Sequence, residues 1–155
     1  MTDYIEKTIN LAKANVEQGG RPFACLIVED GTIIAEGTSE VAQTKDPTAH
    51  AEIVAIRKAT SKLNTEHLSN CEFFILADPC PMCLAAMYYC SPQKVTFITF
   101  RDEYKEYYRD DHKYFTFEGF YQELSKSWQE RNLNMIYHSH PEALEVFKLW
   151  KKLNQ

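Results

Sequence analysis

The 155-residue chain lacks the features of a membrane protein or of a disulfide-bonded secreted domain. No apolar run approaches the roughly 20 residues that a helix needs to cross a bilayer, and residues 1–7 carry no apolar signal region. The five cysteines are an odd number, which fits a reducing compartment better than a disulfide framework. We therefore expect a soluble, cytoplasmic protein.

The chain also lacks an excess of positive charge. It has 17 Lys and Arg against 22 Asp and Glu, for a formal net charge of -5. Because affinity for nucleic acids depends heavily on neutralising phosphates, a small-molecule substrate is expected and a nucleic-acid partner is not. Internal repeats, linkers and low-complexity stretches are missing too, so residues 1–155 are expected to form a single domain.

The apolar pattern predicts helices that alternate with short strands, as in an α/β protein. Asp30-Gly31 is a strong signal for a two-residue hairpin turn between strands at 23–29 and 32–37. In the helix that follows residue 50, Ile53, Ile56 and Leu63 are expected to be buried. The other predicted elements are a helix at 3–18, a strand at 72–77, a helix at 81–90, a strand at 94–100 and a terminal helix at 141–153.

Two short motifs carry the chemistry, DPTAHAE at residues 46–52 and PCPMC at residues 79–83. They provide three zinc-type ligands, His50, Cys80 and Cys83, together with one carboxylate, Glu52. A structural zinc normally has four protein ligands, whereas a catalytic zinc has three and keeps one position for water. The set therefore predicts a catalytic zinc, with Glu52 free to move protons.

The predicted location of the two cysteines supports this interpretation. Cys80 follows a strand and precedes a helix, which is where open α/β sheets commonly place their sites. Cys80 and Cys83 would share one side of the first helical turn. The free N–H groups and positive dipole end of that turn favour thiolates over thiols.

Two other interpretations of the motifs remain open. A structural zinc would take its fourth ligand from Cys71, Cys90 or another histidine, and a zinc-stabilised binding module would keep the metal without catalysis. By default, Cys25, Cys71 and Cys90 are expected to be buried free thiols that pack as small hydrophobic residues.

A histidine two residues before a glutamate, followed later by P-C-x-x-C, is the pattern of the zinc deaminases. With these motifs, Pro22-Phe23 and Glu29-Asp30-Gly31, the chain resembles the cytidine deaminase-like superfamily and, within it, the bacterial guanine deaminases. The resemblance extends from the first helix to about residue 100. It implies a three-layer α/β/α fold with a five-stranded mixed sheet, whose last strand lies near Asn134 to Tyr137. It also implies one Zn²⁺ per subunit and a homodimer in which residues 101–155 form a C-terminal lid that is a candidate for exchange between subunits.

The resemblance also implies substrate contacts. Phe23 should pack on the substrate ring, Tyr89 should line the pocket and Asp111 should approach the base from the lid. Alternatively, Phe23 and Tyr89 are core residues, and Asp111 belongs to a turn or a helix cap.

Two departures from the guanine deaminases bear on the substrate. Ser39 stands where they typically place a base-contacting asparagine, and a serine cannot reproduce the paired donor and acceptor of an amide. Arg21 replaces a glycine at the entrance to the hairpin, where it could hold a carboxylate or a phosphate.

The expected activity is zinc-dependent hydrolytic deamination of an amino-substituted nucleobase or nucleoside. Guanine is the leading candidate, with xanthine and ammonia as products, which would place the enzyme in purine metabolism. The alternatives are another small amino-heterocycle (a pterin, a triazine, cytosine or a nucleoside) and the adenosine of a tRNA.

Overall fold

The computed structural model describes residues 2–155. Contacts divide the chain into two compact units, one that ends at Asp110 and one that comprises Asp111–Gln155. The first unit contains the sheet and all four motif residues. None of the described helices is long and apolar enough to cross a membrane.

The first unit has four strands and five helices among its described residues. Seven of these elements have bounds close to those predicted, and two short helices, at 41–44 and 101–104, were not predicted. The elements of the first unit are α1 (Thr2–Glu17), β1 (Ala24–Glu29), β2 (Thr32–Thr38), α2 (Val41–Thr44), α3 (Ala51–Leu63), β3 (Cys71–Ala77), α4 (Pro81–Cys90), β4 (Lys94–Thr99) and α5 (Arg101–Tyr104). The second unit contains α6 (Phe120–Ser125), a 3₁₀ turn (Trp128–Glu130) and α7 (Pro141–Leu153).

The strands form one mixed sheet in the order β2-β1-β3-β4. Strand β1 pairs antiparallel with both β2 and β3, while β3 and β4 are parallel and joined through α4. The predicted hairpin is confirmed. Asp30 and Gly31 both have positive φ values, 47° and 75°, as a type I′ turn requires.

Helices cover both faces of the sheet, which confirms the three-layer α/β/α architecture. On one face, Tyr4, Ile5 and Leu11 of α1 pack against Leu26 and Phe74. On the other face, α3 and α4 pack over the core formed by residues that include Cys25, Ile27, Phe73, Ile75, Ala55, Ala59 and Met87.

The prediction of a fifth strand near Asn134 to Tyr137 was wrong. The sheet has four strands within residues 2–155, and residues 134–137 have no regular structure. The described part of the second unit contains no strand that could pair with this segment, only an isolated bridge between His112 and Phe115. Ile136 is 84% exposed, so the apolar side chains of the run have no core to enter.

The buried stripe of α3 also differs from the prediction. Its fully buried apolar side chains are small, namely Ala51, Val54, Ala55 and Ala59, whereas Ile53, Ile56 and Leu63 are only partly buried. The reason is a close approach between α3 and β2. A Cβ atom at Gly37 would lie 2.7 Å from the backbone nitrogen of Ala55, so the helix can present only small residues to the strand.

The predicted terminal helix is confirmed as α7, but none of its side chains is buried. All five cysteines are free, and Cys25, Cys71 and Cys90 are buried as expected.

Candidate active site

The first half of the site lies at the start of α3. His50 is the N-cap residue and has extended backbone angles (φ -66°, ψ 156°), and Glu52 lies in the first turn. The turn at 46–48 that leads to His50 is stabilised by Asp46, whose Oδ1 accepts hydrogen bonds from the backbone nitrogen and the hydroxyl of Thr48 at 2.8 and 2.7 Å. Since a helix begins immediately after His50, both side chains can lie beside the end of the helix.

The second half lies at the start of α4, directly after strand β3. Cys80 is the N-cap residue, and its Sγ accepts a hydrogen bond from the backbone nitrogen of Cys83 at 3.5 Å. Pro81 occupies the first helical turn, where the missing N–H of proline has no helical partner to lose. The predicted position of the cysteine pair, after a strand and at a helix start, is confirmed.

The two halves meet. The Nδ1 atom of His50 lies 3.5 Å from the Sγ atoms of both Cys80 and Cys83, and the three ligand atoms lie within 4.8 Å of one another. Bond lengths to zinc of about 2.0–2.3 Å in a tetrahedron separate neighbouring ligand atoms by roughly 3.5 Å. The donor set therefore fits a zinc ion.

A fourth ligand of the kind expected for a structural zinc is not found among the described residues. The group of histidine, cysteine and acidic side chains at this point consists of His50, Cys80 and Cys83. Cys71 and Cys90, the two cysteines named as candidates, belong to the hydrophobic core, and no other histidine of the described residues joins the group. The geometry thus corresponds to the open, three-ligand type of zinc site.

Hydrogen bonding moves the pKa values of the two cysteine thiols in opposite directions. The hydrogen bond from Cys83 lowers the pKa of Cys80 to about 4, with His50 adding to the effect, and the same hydrogen bond raises the pKa of Cys83. Burial acts to lower the pKa of His50, but the contact with Cys80 raises it overall. A thiolate is therefore available at neutral pH as a first metal ligand.

Glu52 is buried at the floor of the site. Its Oε2 atom lies 3.4 Å from the Sγ of Cys83, and the residue is 8% exposed. Burial is the main cause that raises the pKa of its carboxyl group, and the charge of Cys80 adds to it. A carboxyl group whose pKa is raised towards neutrality is suited to accept a proton and return it.

A narrow cleft lies beside His50, with a cavity volume of about 10 Å³. Three residues singled out in the sequence, Arg21, Phe23 and Ser39, line it together with His50, Tyr108 and Asp110. Ser39 is buried, its N–H donates to the carbonyl of Phe23 at 3.2 Å, and its own carbonyl accepts from Asn15 Nδ2 at 3.0 Å.

Tyr108 at this cleft and its neighbour Tyr104 were not identified as site residues in the sequence. Tyr104 and Tyr108 lie one helical turn apart, because the N–H of Tyr108 donates to the carbonyl of Tyr104 at 3.0 Å. Both rings meet Phe23 edge-on, with centroids 6.1 and 5.1 Å away and interplanar angles of 73° and 78°. The spacing of four was visible in the sequence, but residues 101–111 gave no clear helical pattern in which to place it.

Asp110 was also missed, since the resemblance pointed to its neighbour Asp111. One oxygen of Asp110 lies 3.2 Å from Arg21 Nη1, and the other lies 4.0 Å from His50 Nε2. Asp111 belongs to the second unit. The pair Asp110-Asp111 was a visible signal, but spacing alone does not decide which of two adjacent carboxylates enters a site.

Tyr89 lies on α4 with 86% of its surface exposed, and it is not among the residues that line the cleft beside His50. The contacts of Tyr89 and Asp111 with a substrate stay predictions.

Comparisons with known proteins agree with this site. Residues 1–99 match the family model described as the cytidine and deoxycytidylate deaminase zinc-binding region. The chain is 36% identical over 149 residues to the guanine deaminase of Bacillus subtilis, covering 96% of this chain and 92% of that protein.

A solved structure and a second relative extend the comparison. The X-ray structure of the guanine deaminase from Bacillus subtilis superimposes with a TM-score of 0.87 and 35% sequence identity, covering 97% of this chain and 93% of the other. The tRNA-specific adenosine deaminase of Aquifex aeolicus is 38% identical over 94 residues, which is 61% of this chain and 62% of that protein. The chain therefore belongs to the cytidine and deoxycytidylate deaminase family and is a zinc-dependent hydrolytic deaminase.

Proposed function

We propose that this enzyme converts guanine and water to xanthine and ammonia. The observation that carries the proposal is the similarity to a guanine deaminase over 96% of this chain and 92% of that protein, which includes the region beyond residue 100. The tRNA-specific adenosine deaminase matches only 61% of the chain. The net charge of -5 also favours a small base over a tRNA.

The roles of the chain's own residues follow from their positions. His50, Cys80 and Cys83 hold the metal, which supplies a hydroxide nucleophile near neutral pH by lowering the pKa of bound water. Glu52 takes up the proton released from water and delivers it to the ring nitrogen next to the reacting carbon. It then takes the remaining hydrogen of the newly added hydroxyl group and gives it to the amine, which leaves as ammonia when the exocyclic C–N bond breaks. Phe23 presents its ring to the base within the cleft, and the buried position of Glu52 excludes bulk water from the transfer.

Recognition of the base is assigned to residues around the cleft. Ser39 offers a hydroxyl beside His50, and the resemblance adds Tyr89 and Asp111 as further contacts. Arg21 already has an acidic partner in Asp110, which supports a neutral base as the substrate rather than a molecule that bears a phosphate or a carboxylate.

The test is ammonia release from zinc-loaded protein with guanine, guanosine, adenine, adenosine, cytosine, a pterin and a triazine. Turnover of guanine well above the others is expected. Turnover of another base with none of guanine would contradict the proposed substrate and would identify Ser39 as the mark of a different specificity. A salt-sensitive mobility shift with tRNA would support the nucleic-acid alternative instead.

We further propose that residues 1–155 act as one deaminase domain in a cytoplasmic homodimer, with residues 101–155 as a lid that is shared between subunits. All five cysteines are free, which supports a location in the reducing cytoplasm. Helix α7 supports the proposal of a homodimer. Its apolar side chains, which include Leu144, Phe147 and Trp150, are all exposed, and such a face generally packs against another surface.

The assembly is tested by the mass in solution, measured by light scattering. Twice the chain mass of 18.0 kDa is expected, and Phe147→Ser should shift the protein towards the monomer by removing part of the apolar face of α7. Lys152→Ser in the same helix is the control and should keep the dimer. A wild-type protein that has the monomer mass at micromolar concentration would disprove the assembly.

A further inference from the structure

The two ring nitrogens of His50 face different partners. Nδ1 points to the sulfur atoms of Cys80 and Cys83, at 3.5 Å from each, so Nδ1 is the metal-binding atom. Nε2 points away from the sulfurs, and a carboxylate oxygen of Asp110 lies 4.0 Å from it. A histidine that binds a metal through one nitrogen carries its proton on the other, and that N–H is commonly held by a carboxylate or a carbonyl.

The carboxylate of Asp110 is itself held in place. Its second oxygen lies 3.2 Å from Arg21 Nη1, and both side chains are shielded, with 29% of Arg21 and 20% of Asp110 exposed. The guanidinium group thus holds a carboxylate that lines the cleft.

The backbone of Arg21 is anchored from the other side. Its carbonyl accepts hydrogen bonds from the Nδ2 atom of Asn15 at 2.8 Å and from the N–H of Phe23 at 2.9 Å. Asn15 is buried in α1, which packs on the sheet. The contacts therefore run from α1 through Arg21 and Asp110 to the metal ligand His50.

We propose that Asp110 and Arg21 are positioning residues of the zinc centre. Asp110 orients the imidazole ring of His50 through Nε2–H, and Arg21 keeps the Asp110 carboxylate facing that atom. The 4.0 Å distance is within ion-pair range and about 1 Å longer than an N–H···O hydrogen bond, and such contacts often shorten once a site is loaded. This role explains an arginine at the hairpin entrance without an anionic substrate.

The inference rests on the zinc-dependent deaminase function but not on the identity of the base, so it is tested by zinc affinity measured without substrate. Competition with a chromophoric chelator gives the dissociation constant of Zn²⁺ for each variant. Loss of an outer carboxylate partner typically weakens metal binding 10- to 100-fold, and we expect at least about tenfold weakening for Asp110→Asn. Arg21→Ala should weaken binding by a smaller factor, and Arg21→Lys should restore part of the loss.

The double variant that combines Arg21→Ala with Asp110→Asn tests whether Arg21 acts through Asp110. If it does, Arg21→Ala adds no further weakening to Asp110→Asn, because the carboxylate it holds is gone. Lys94→Ala, which removes a 2.7 Å ion pair with Glu72 on the sheet, is the matched control and should leave zinc affinity unchanged.

Three results would overturn the proposal. These are unchanged zinc affinity in Asp110→Asn, additive losses in the double variant, and no recovery with Arg21→Lys. If the weaker zinc binding of Asp110→Asn is accompanied by a changed visible spectrum of the Co²⁺-loaded protein, the geometry of the metal ligands has changed. A loss of global stability alone would not change that spectrum. A wrong choice of guanine as substrate would leave all of these measurements unaffected.

Discussion

Glu52→Gln is expected to reduce kcat by about 10²- to 10⁴-fold, the range that positioned acid–base groups contribute, while the protein still binds zinc. The amide has nearly the shape of the carboxyl group but can neither accept nor return a proton at neutral pH. Glu52 is not one of the three residues whose ligand atoms cluster, so its substitution leaves the metal-binding set complete.

The measurement is single-turnover ammonia release at saturating substrate, together with the zinc content of the same preparation. Glu36→Gln is the control, since Glu36 is a partly buried glutamate on strand β2 that pairs with Lys7 at 2.8 Å. A Glu52→Gln enzyme that keeps more than about a tenth of the wild-type kcat would remove Glu52 from the acid–base role.

Gly37→Ala is expected to destabilise the fold by roughly 2–3 kcal/mol, the upper part of the usual range for overpacking a core. An added Cβ would meet the backbone of α3 at Ala51 and Ala55, and backbone atoms cannot move aside as a flexible side chain can. Because α3 begins at His50 and carries Glu52, displacement of the helix should also weaken zinc binding.

Thermal unfolding of the zinc-free protein would measure the loss of stability in Gly37→Ala, and chelator competition would measure its zinc affinity. A midpoint lowered by about 5–10 °C is expected for a domain of this size. The matched control is Gly119→Ala, where the nearest atom to an added Cβ is the side-chain oxygen of Thr116 at 3.0 Å. If Gly37→Ala unfolded at the wild-type temperature, the close approach of β2 and α3 would be disproved.

Local signals in the sequence were sufficient for much of the fold. The hairpin was predicted because Asp30-Gly31 can adopt the positive φ angles of a type I′ turn. Helix α4 was predicted with both ends correct because Pro81 marks its first turn and the apolar run ends at Cys90. The prediction of a strand near residues 134–137 failed because a strand forms only when another strand pairs with it. A short apolar run contains no information about its pairing partner.

The residues of the site also differ in how far the sequence could predict them. His50, Glu52, Cys80 and Cys83 could be identified because each motif is short and leads into a helix, so their relative positions depend mainly on local structure. Asp110 and Tyr108 come to His50 from about 60 residues away through an irregular segment, and Ile53 of α3 is only partly buried because β2 approaches so closely. Those arrangements depend on packing between distant segments, which periodicity does not describe.

Two of the three metal ligands occupy equivalent places on two different helices. His50 is the N-cap of α3 and Cys80 is the N-cap of α4, so the positive ends of two helix dipoles converge on one point. Each end carries the equivalent of about half an elementary charge. The backbone therefore creates a positive potential at the site that is independent of any bound cation, and a thiolate or a developing negative charge on the substrate is stabilised there by the fold itself.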